Sequence, residues 1–177
     1  MDKFYIDKVL GGDTEAFRYF LKRYKDMAYN VAISIVKDEH YAEEVTQDAF
    51  IKAFKALQSF NRTAKFKSWF YRIVINESFQ RLKKMKKEIA LSEIEEVGDS
   101  IDHRVLQDFD EHQLIDRTKL ALKLLPSKES LALNLFYLVD YSLADIVGIT
   151  GWSLSNTKVI LHRARKNIKA LLAIAPE

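Results

Sequence analysis

The stretch FNRTAKFKSWFYRIVINESFQRLKKMKK, Phe60 to Lys87, decides the fold and points to the function. A short polar segment, Asn61-Arg62-Thr63-Ala64-Lys65, opens it, and no Gly or Pro interrupts the dense apolar block after it. Trp69, Phe70, Ile73, Val74, Ile75, Phe79 and Leu82 recur at helical spacings, which predicts a helix too apolar all round to stand alone in water. Its end is the reverse: Arg81, Lys83, Lys84, Lys86 and Lys87 come with no acid among them. A buried aromatic-rich helix with a basic loop before it and a basic tail after it suits a single nucleic-acid strand. Aromatic rings stack on bases while Lys and Arg neutralise phosphates. The plainer reading is a core helix with a solvated basic end, and this stretch alone leaves both open.

Toward the N-terminus, Gly11-Gly12 marks a turn and Asp13 is the expected N-cap of a helix. Phe17, Phe20, Leu21, Tyr24, Met27, Ala28, Val31, Ala32 and Ile35 fall at spacings of three and four, which predicts one long amphipathic helix. A break at Lys37-Asp38 leads to a second, with Ala42, Val45, Ala49, Phe50, Ala53, Phe54 and Leu57 on one stripe. Its other face carries Glu43, Glu44, Gln47, Asp48, Ile51 and Lys52; an Ile isolated among acids and an amide hints at a protein-binding surface, although most such faces are merely solvated. No signal-like segment opens the chain and no stretch is long and apolar enough to cross a membrane, so a cytoplasmic location without membrane insertion is expected.

Toward the C-terminus the character changes. From Glu88 to Asp116 acids dominate, with Arg104 a lone cation among Glu93, Glu95, Glu96, Asp99, Asp102, Asp108, Asp110 and Glu111. Residues 88–113 read as a flexible acidic linker between a helical domain, 1–87, and a second, 114–177. A folded cap held by Ile89, Leu91, Ile94, Val97 and Ile101 is the alternative. Beyond it, a Leu-rich helix ends at Pro126, and Ser127 is the expected cap of a helix whose apolar residues are Leu131, Leu135, Phe136 and Leu138. Ser142-Leu143-Ala144-Asp145 has the form of a capping box, Gly151-Trp152 makes a turn, and Ser153 is the expected cap of a last, basic helix. Short helix, tight turn and basic helix outline a helix-turn-helix, so the fold class is all-α with two small helical domains. In that motif the N-terminal end of the second helix, here Ser153, Ser155 and Asn156, enters the major groove. Lys158, His162, Arg163, Arg165 and Lys166 would hold phosphates and neighbouring edges.

Composition narrows the function. At 177 residues the chain can hold one ordinary domain or two small ones, and the net charge of +3 decides little. There is no Cys, which excludes disulfides and thiolate metal sites and fits a reducing compartment. The four histidines, His40, His103, His112 and His162, are scattered, and His40 with Glu44 is an incidental pair rather than a metal site. With no Gly-rich phosphate loop and no nucleophile elbow, neither an enzyme nor a resident metal or cofactor is expected.

Four pieces of the chain, in order, resemble the extracytoplasmic-function (ECF) sigma factors, the smallest members of the bacterial primary sigma family. Gly12-Asp13-x-x-Ala16-Phe17 is similar to the family's opening. Ala42-Glu43-Glu44-Val45-x-Gln47-Asp48-x-Phe50 is similar to its polymerase-binding helix. Phe66-Lys67-Ser68-Trp69-x-Tyr71-Arg72-Ile73-x-x-Asn76 resembles its promoter-melting helix. Leu125-Pro126, Ser142-x-Ala144-Asp145-Ile146, Gly151 and Leu161-His162-Arg163-Ala164-Arg165-Lys166 are similar to its helix-turn-helix without a gap.

The resemblance implies partners and roles: core RNA polymerase, promoter DNA and an anti-sigma factor. Glu44, Gln47, Asp48 and Ile51 would dock on the clamp helices of the polymerase β′ subunit. Asn61, Arg62, Lys65, Lys67, Trp69, Arg72 and Asn76 would meet the melted strand, with the loop and Asn76 holding an unstacked base of the minus-ten element and Trp69 bracing the loop from within. The C-terminal domain would read the minus-thirty-five element as duplex, and the acidic linker would thread polymerase channels that later carry RNA. Gln80 stands where Asp is usual, Ser130, Phe136 and Ile160 where Arg is frequent, and Thr157 where a core Val is usual. These departures imply fewer phosphate contacts in the C-terminal domain. The rival reading is a free-standing helix-turn-helix regulator with a ligand-binding N-terminal domain.

Overall fold

The structure, a computed structural model, describes residues 1–92 and 114–173. Among them there are helices and turns but no strand, and the chain divides into two compact units, Met1–Lys84 and Met85–Glu177.

The first unit begins with a helix that the sequence pattern does not announce, α1 (Asp2–Leu10), which buries only Ile6 and Val9. Gly12, at φ 103°, turns the chain, and the Asp13 carboxylate caps a 3₁₀ turn, Thr14–Phe17, by accepting from the Ala16 N–H at 3.2 Å. The expected long helix therefore starts with this tighter turn and continues as α2 (Arg18–Val36). Phe20, Tyr24, Ala28, Val31, Ala32 and Ile35 form its buried stripe. Lys37 ends α2 in the left-handed region (φ 65°), and Asp38 caps α3 (Glu39–Ala56) by accepting from the Tyr41 N–H at 2.9 Å. Ala42, Ala49 and Ala53 are fully buried, and such small side chains let α2 and α3 approach closely.

A 3₁₀ turn (Leu57–Ser59) and the 61–65 loop lead into α4 (Phe66–Ser92). Here the aromatic residues gather: Phe20 lies 4.2 Å from Phe66, Phe50 4.6 Å from Phe70, and Phe17 5.1 Å from Phe54, between ring centroids. Each such pair is worth roughly 0.5–1.5 kcal/mol beyond the area it buries, so this cluster fixes how α4 sits on α2 and α3. Polar groups inside are satisfied locally, as Ser78 donates to the Val74 carbonyl at 2.7 Å. Because α4 runs to Ser92, residues 88–92 of the expected linker are helical; its remainder, 93–113, lies outside the described residues.

The second unit contains α5 (Leu114–Leu124), α6 (Ser127–Leu133), α7 (Leu143–Thr150) and α8 (Leu154–Ala173). Pro126, not Ser127, holds the capping position of α6, its carbonyl accepting from the Glu129 and Ser130 N–H groups. After Leu133 the helix widens into a π turn, Asn134–Leu138, with the Val139 N–H reaching the Asn134 carbonyl. The extra residue per turn rotates the chain's end away from the core, so Leu138, expected inside, is 72% exposed. The capping box is present: the Asp145 N–H donates to Ser142 Oγ and the Ser142 N–H to the Asp145 carboxylate. Gly151, at φ 74°, makes the turn into α8, whose Thr157, Ile160, Leu161, Ala164 and Leu171 are buried. These α7–turn–α8 elements form a helix-turn-helix.

Candidate nucleic-acid interface

In the first unit the loop before α4 has a defined shape. Asn61 Oδ1 accepts from the Thr63 N–H at 3.2 Å and from the Thr63 hydroxyl at 2.8 Å, a side-chain mimic of a backbone turn. Arg62 sits in the left-handed region (φ 62°), and its guanidinium pairs with Asp7 of α1 at 2.7 Å. Trp69 is half-buried, its ring centroid 4.9 Å from Phe60 and 5.4 Å from Phe66, the residues on either side of the loop. Lys67 lies over the Tyr71 ring, 5.8 Å from its centroid.

From the loop a row of side chains continues along α4. Half-buried Trp69 and exposed Arg72 and Asn76 are spaced by three and four residues and share one side of the helix, with exposed Gln80 and Lys83 beyond them. Asn76, a polar residue expected to sit inside an apolar helix, is exposed, so its amide bears no burial cost. Beside the loop, α1, α2 and the start of α4 enclose an open cleft of about 640 Å³. Lys3, Arg23, Arg62, Lys65 and Lys67 line it, with Asp2 as the lone acid among its lining residues.

Arg81 departs from its expected place. Its side chain, only 16% exposed, turns inward, stacks 3.9 Å from the centre of the Tyr41 ring and pairs with Glu44 at 3.4 Å. The stripe Phe70, Val74, Ser78 is buried, and Arg81 lies three residues further along the same side, a signal present in the helical spacing. A second tie between the same helices joins Lys52 to Glu77 at 2.6 Å. On α3, Glu44, Gln47, Asp48 and Ile51 all lie on one exposed face, as expected, with Ile51 51% exposed. Nothing in the spacing along α3 reveals that Glu44 is committed to Arg81.

In the second unit, Ser153 Oγ accepts from the Asn156 N–H at 3.2 Å and lies 3.2 Å from Ser155 Oγ. Ser153, Ser155 and Asn156 are exposed at the start of α8, and Lys158, His162, Arg163 and Lys166 form an exposed row beyond them. Arg165 differs from its neighbours. Its Nε donates to the Tyr137 hydroxyl at 2.8 Å and its guanidinium lies 5.2 Å from the Phe136 ring centre, which holds it against the π turn. Ser130 and Ile160, where arginines were expected from the resemblance, are core positions, and Thr157 is buried with its hydroxyl donating to the Ser153 carbonyl. Among the described residues no three potential metal ligands come together, and no helix is long and apolar enough to cross a membrane.

Two family descriptions match the chain: sigma-70 region 2 over residues 20–88 and sigma-70 region 4 over residues 115–168. The chain is 29% identical to the ECF RNA polymerase sigma factor SigW of Bacillus subtilis, over 94% of each chain. It is 28% identical to SigM of the same organism, over 84% of this chain and 90% of SigM. Among solved structures it resembles the sigma factor RpoE of Bartonella quintana, crystallised with the anti-sigma factor NepR, with a TM-score of 0.70 and 26% identity over 89% of this chain and 96% of that one. Two helical units, one carrying a loop and a polar row on an aromatic-cored helix and the other a helix-turn-helix, define a two-domain promoter-binding protein. The chain belongs to the ECF sigma factors, and as such it is an RNA polymerase sigma factor that directs promoter-specific transcription initiation.

Proposed function

We propose that the first unit engages polymerase and the melted strand while the second reads duplex DNA, and that each task falls to the residues named from the sequence. Glu44, Gln47, Asp48 and Ile51 dock on core polymerase. The loop residues Asn61, Arg62 and Lys65, with Lys67, Arg72 and Asn76, hold the melted minus-ten strand, and Trp69 braces the loop. Ser153, Ser155, Asn156, Lys158, His162, Arg163 and Lys166 meet the minus-thirty-five duplex, with Arg165 contributing only if it leaves Tyr137. This divides the labour between residues 1–87 and 114–177. The protein works in the cytoplasm, where polymerase is, and does no chemistry itself. An anti-sigma factor restrains it, a reading supported by the similar RpoE having been crystallised with one.

The observation that carries this reading is the row Trp69, Arg72, Asn76 continuing from a shaped basic loop. Pulling a base from the stack costs a few kcal/mol, which a pocket must offset through stacking and hydrogen bonds to the base edge. Since Asn76 is exposed, Asn76→Ala leaves folding intact, with a cost under about 0.5 kcal/mol. Transcription from a duplex promoter should fall, and a template carrying a pre-melted bubble should recover part of the loss. Normal opening of the duplex promoter by Asn76→Ala would place the pocket elsewhere.

A further inference from the structure

We propose that Asp7 of α1 is a positioning residue for promoter opening, one that sets the shape of the 61–65 loop through Arg62; the idea rests on the loop being the strand-binding element. The match to region 2 begins at residue 20, so α1 lies outside it. Within this chain α1 is nonetheless fastened in place. Ile6 and Val9 are buried, and the Asp2 carboxylate accepts from the Tyr24 hydroxyl at 2.6 Å and the Tyr19 hydroxyl at 2.8 Å. Asp7 is therefore a fixed post, and its carboxylate meets the Arg62 guanidinium at 2.7 Å.

Arg62 needs that post. Its φ of 62° is a conformation that a side chain with a Cβ disfavours by roughly 5- to 30-fold relative to the right-handed one. Two attachments oppose this preference: the Asn61–Thr63 turn on one side and Asp7 on the other. The other charged residues lining the cleft around Arg62 are the cations Lys3, Arg23, Lys65 and Lys67, together with Asp2, which pairs with Arg23 at 3.7 Å. Without Asp7 the neighbouring cations push the Arg62 guanidinium outward, and the backbone loses one of its two reasons to remain left-handed. The pair is half-exposed, 39% and 51%, so its removal loosens the loop without unfolding α1. Alanine is also a better helix former than aspartate, which protects α1 itself.

The test uses the full chain with core polymerase and measures the rate of open-complex formation on a duplex promoter. Asp7→Ala should slow opening about threefold, with polymerase affinity and thermal stability unchanged. Asp7→Glu, which keeps a carboxylate on α1 for the Arg62 guanidinium, should retain most of the wild-type rate, while Asp7→Asn should slow opening as Asp7→Ala does. Wild-type opening by Asp7→Ala overturns the proposal. Faster opening overturns it too, since Asp7 would then be competing with phosphates for Arg62. Slowing by Asp7→Glu as large as that by Asp7→Ala would show that the carboxylate does not act through Arg62, and the positioning role falls. Lys65→Ala and Asn76→Ala separate this from the underlying reading: if they slow opening while Asp7→Ala does not, only this inference is lost. If they open promoters normally, the loop is not the site, and the inference goes with it.

Discussion

Arg81 offers the sharpest test of how the first unit is held together. Its guanidinium lies 3.9 Å from the centre of the Tyr41 ring in a largely buried site, where a cation–π contact is worth about 1–2 kcal/mol. The ion pair with Glu44 spans 3.4 Å, but Glu44 is 48% exposed; Coulomb's law in water gives about 1 kcal/mol there, and ordering two long side chains lowers it further. One opposing term exists, since Arg81 Nε is buried without a hydrogen-bond partner and its removal relieves that cost. Arg81→Ala should therefore destabilise the first unit by about 2 kcal/mol, Arg81→Lys by about 1 because ammonium cannot lie flat on the ring, and Glu44→Gln by less than about 1. For a unit of this size about 2 kcal/mol lowers the melting temperature by roughly 8–16 °C. Trp69 reports the first unit's transition once Trp152 is replaced by Phe, so thermal fluorescence melts can rank the three variants. An Arg81→Ala effect no larger than that of Glu44→Gln would refute the claim that stacking, not ion pairing, holds the end of this helix against α3. The node also includes Glu44 of the proposed polymerase-docking face. Reversing the charge at Glu44 sets two cations side by side, so substitutions at Gln47, Asp48 and Ile51 probe docking more cleanly.

Further outcomes concern Asp2, Tyr24 and Lys37 of the first unit. Asp2→Ala removes the acceptor shared by Tyr19 and Tyr24 and should cost about 2 kcal/mol, with earlier proteolysis near Gly11-Gly12 as α1 loosens. Burial, aided by the bond to Asp2, raises the Tyr24 hydroxyl above its ordinary value, so the stability it lends is full below about pH 10 and is lost as pH climbs higher. Lys37 has the opposite sign: burial pushes its ammonium down to about 7, so stability rises between about pH 7 and 10 as the unfolded chain alone carries the proton. Lys37→Gly removes both the buried amine and a strained φ of 65°, and its melting temperature should exceed wild type by more at about pH 6 than at about pH 9.

Local chemistry was legible in the sequence, and nonlocal ties were not. Gly11-Gly12, the Asp13 cap, the break at Lys37-Asp38, the Ser142–Asp145 box and the Gly151 turn all reflect what one or two residues can do to their own backbone. The periodic stripes of α2 and α3 were equally plain, because a period near 3.6 needs no partner to be seen. By contrast, α1 buries only two residues and is held by Asp2 reaching Tyr19 and Tyr24, seventeen and twenty-two positions away. Leu138 went to the surface because a π turn added a residue that no pattern of apolar spacing records. Asn76 sits within an apolar run, yet it shares the exposed side of α4 with Arg72 and Gln80.

The cations of the first unit show why a charge count says little about where DNA goes. Arg23, Arg62, Arg81 and Lys52 each meet an acid from another segment, respectively Asp2, Asp7, Glu44 and Glu77. Their first effect is to connect segments of this unit, and their energies differ by environment rather than by formal charge. Arg81 is inward and stacked, so a phosphate could claim it only by forfeiting the ring contact and opening the α3–α4 junction. Arg62 is half-exposed and its pair is weak, so the same charge there controls the shape of a loop at little cost to the fold. A basic motif read along the chain treats these residues as equivalent. The pairing separates them: Arg81 belongs to the α3–α4 junction beneath the proposed docking face, and Arg62 belongs to the loop proposed to hold the melted strand.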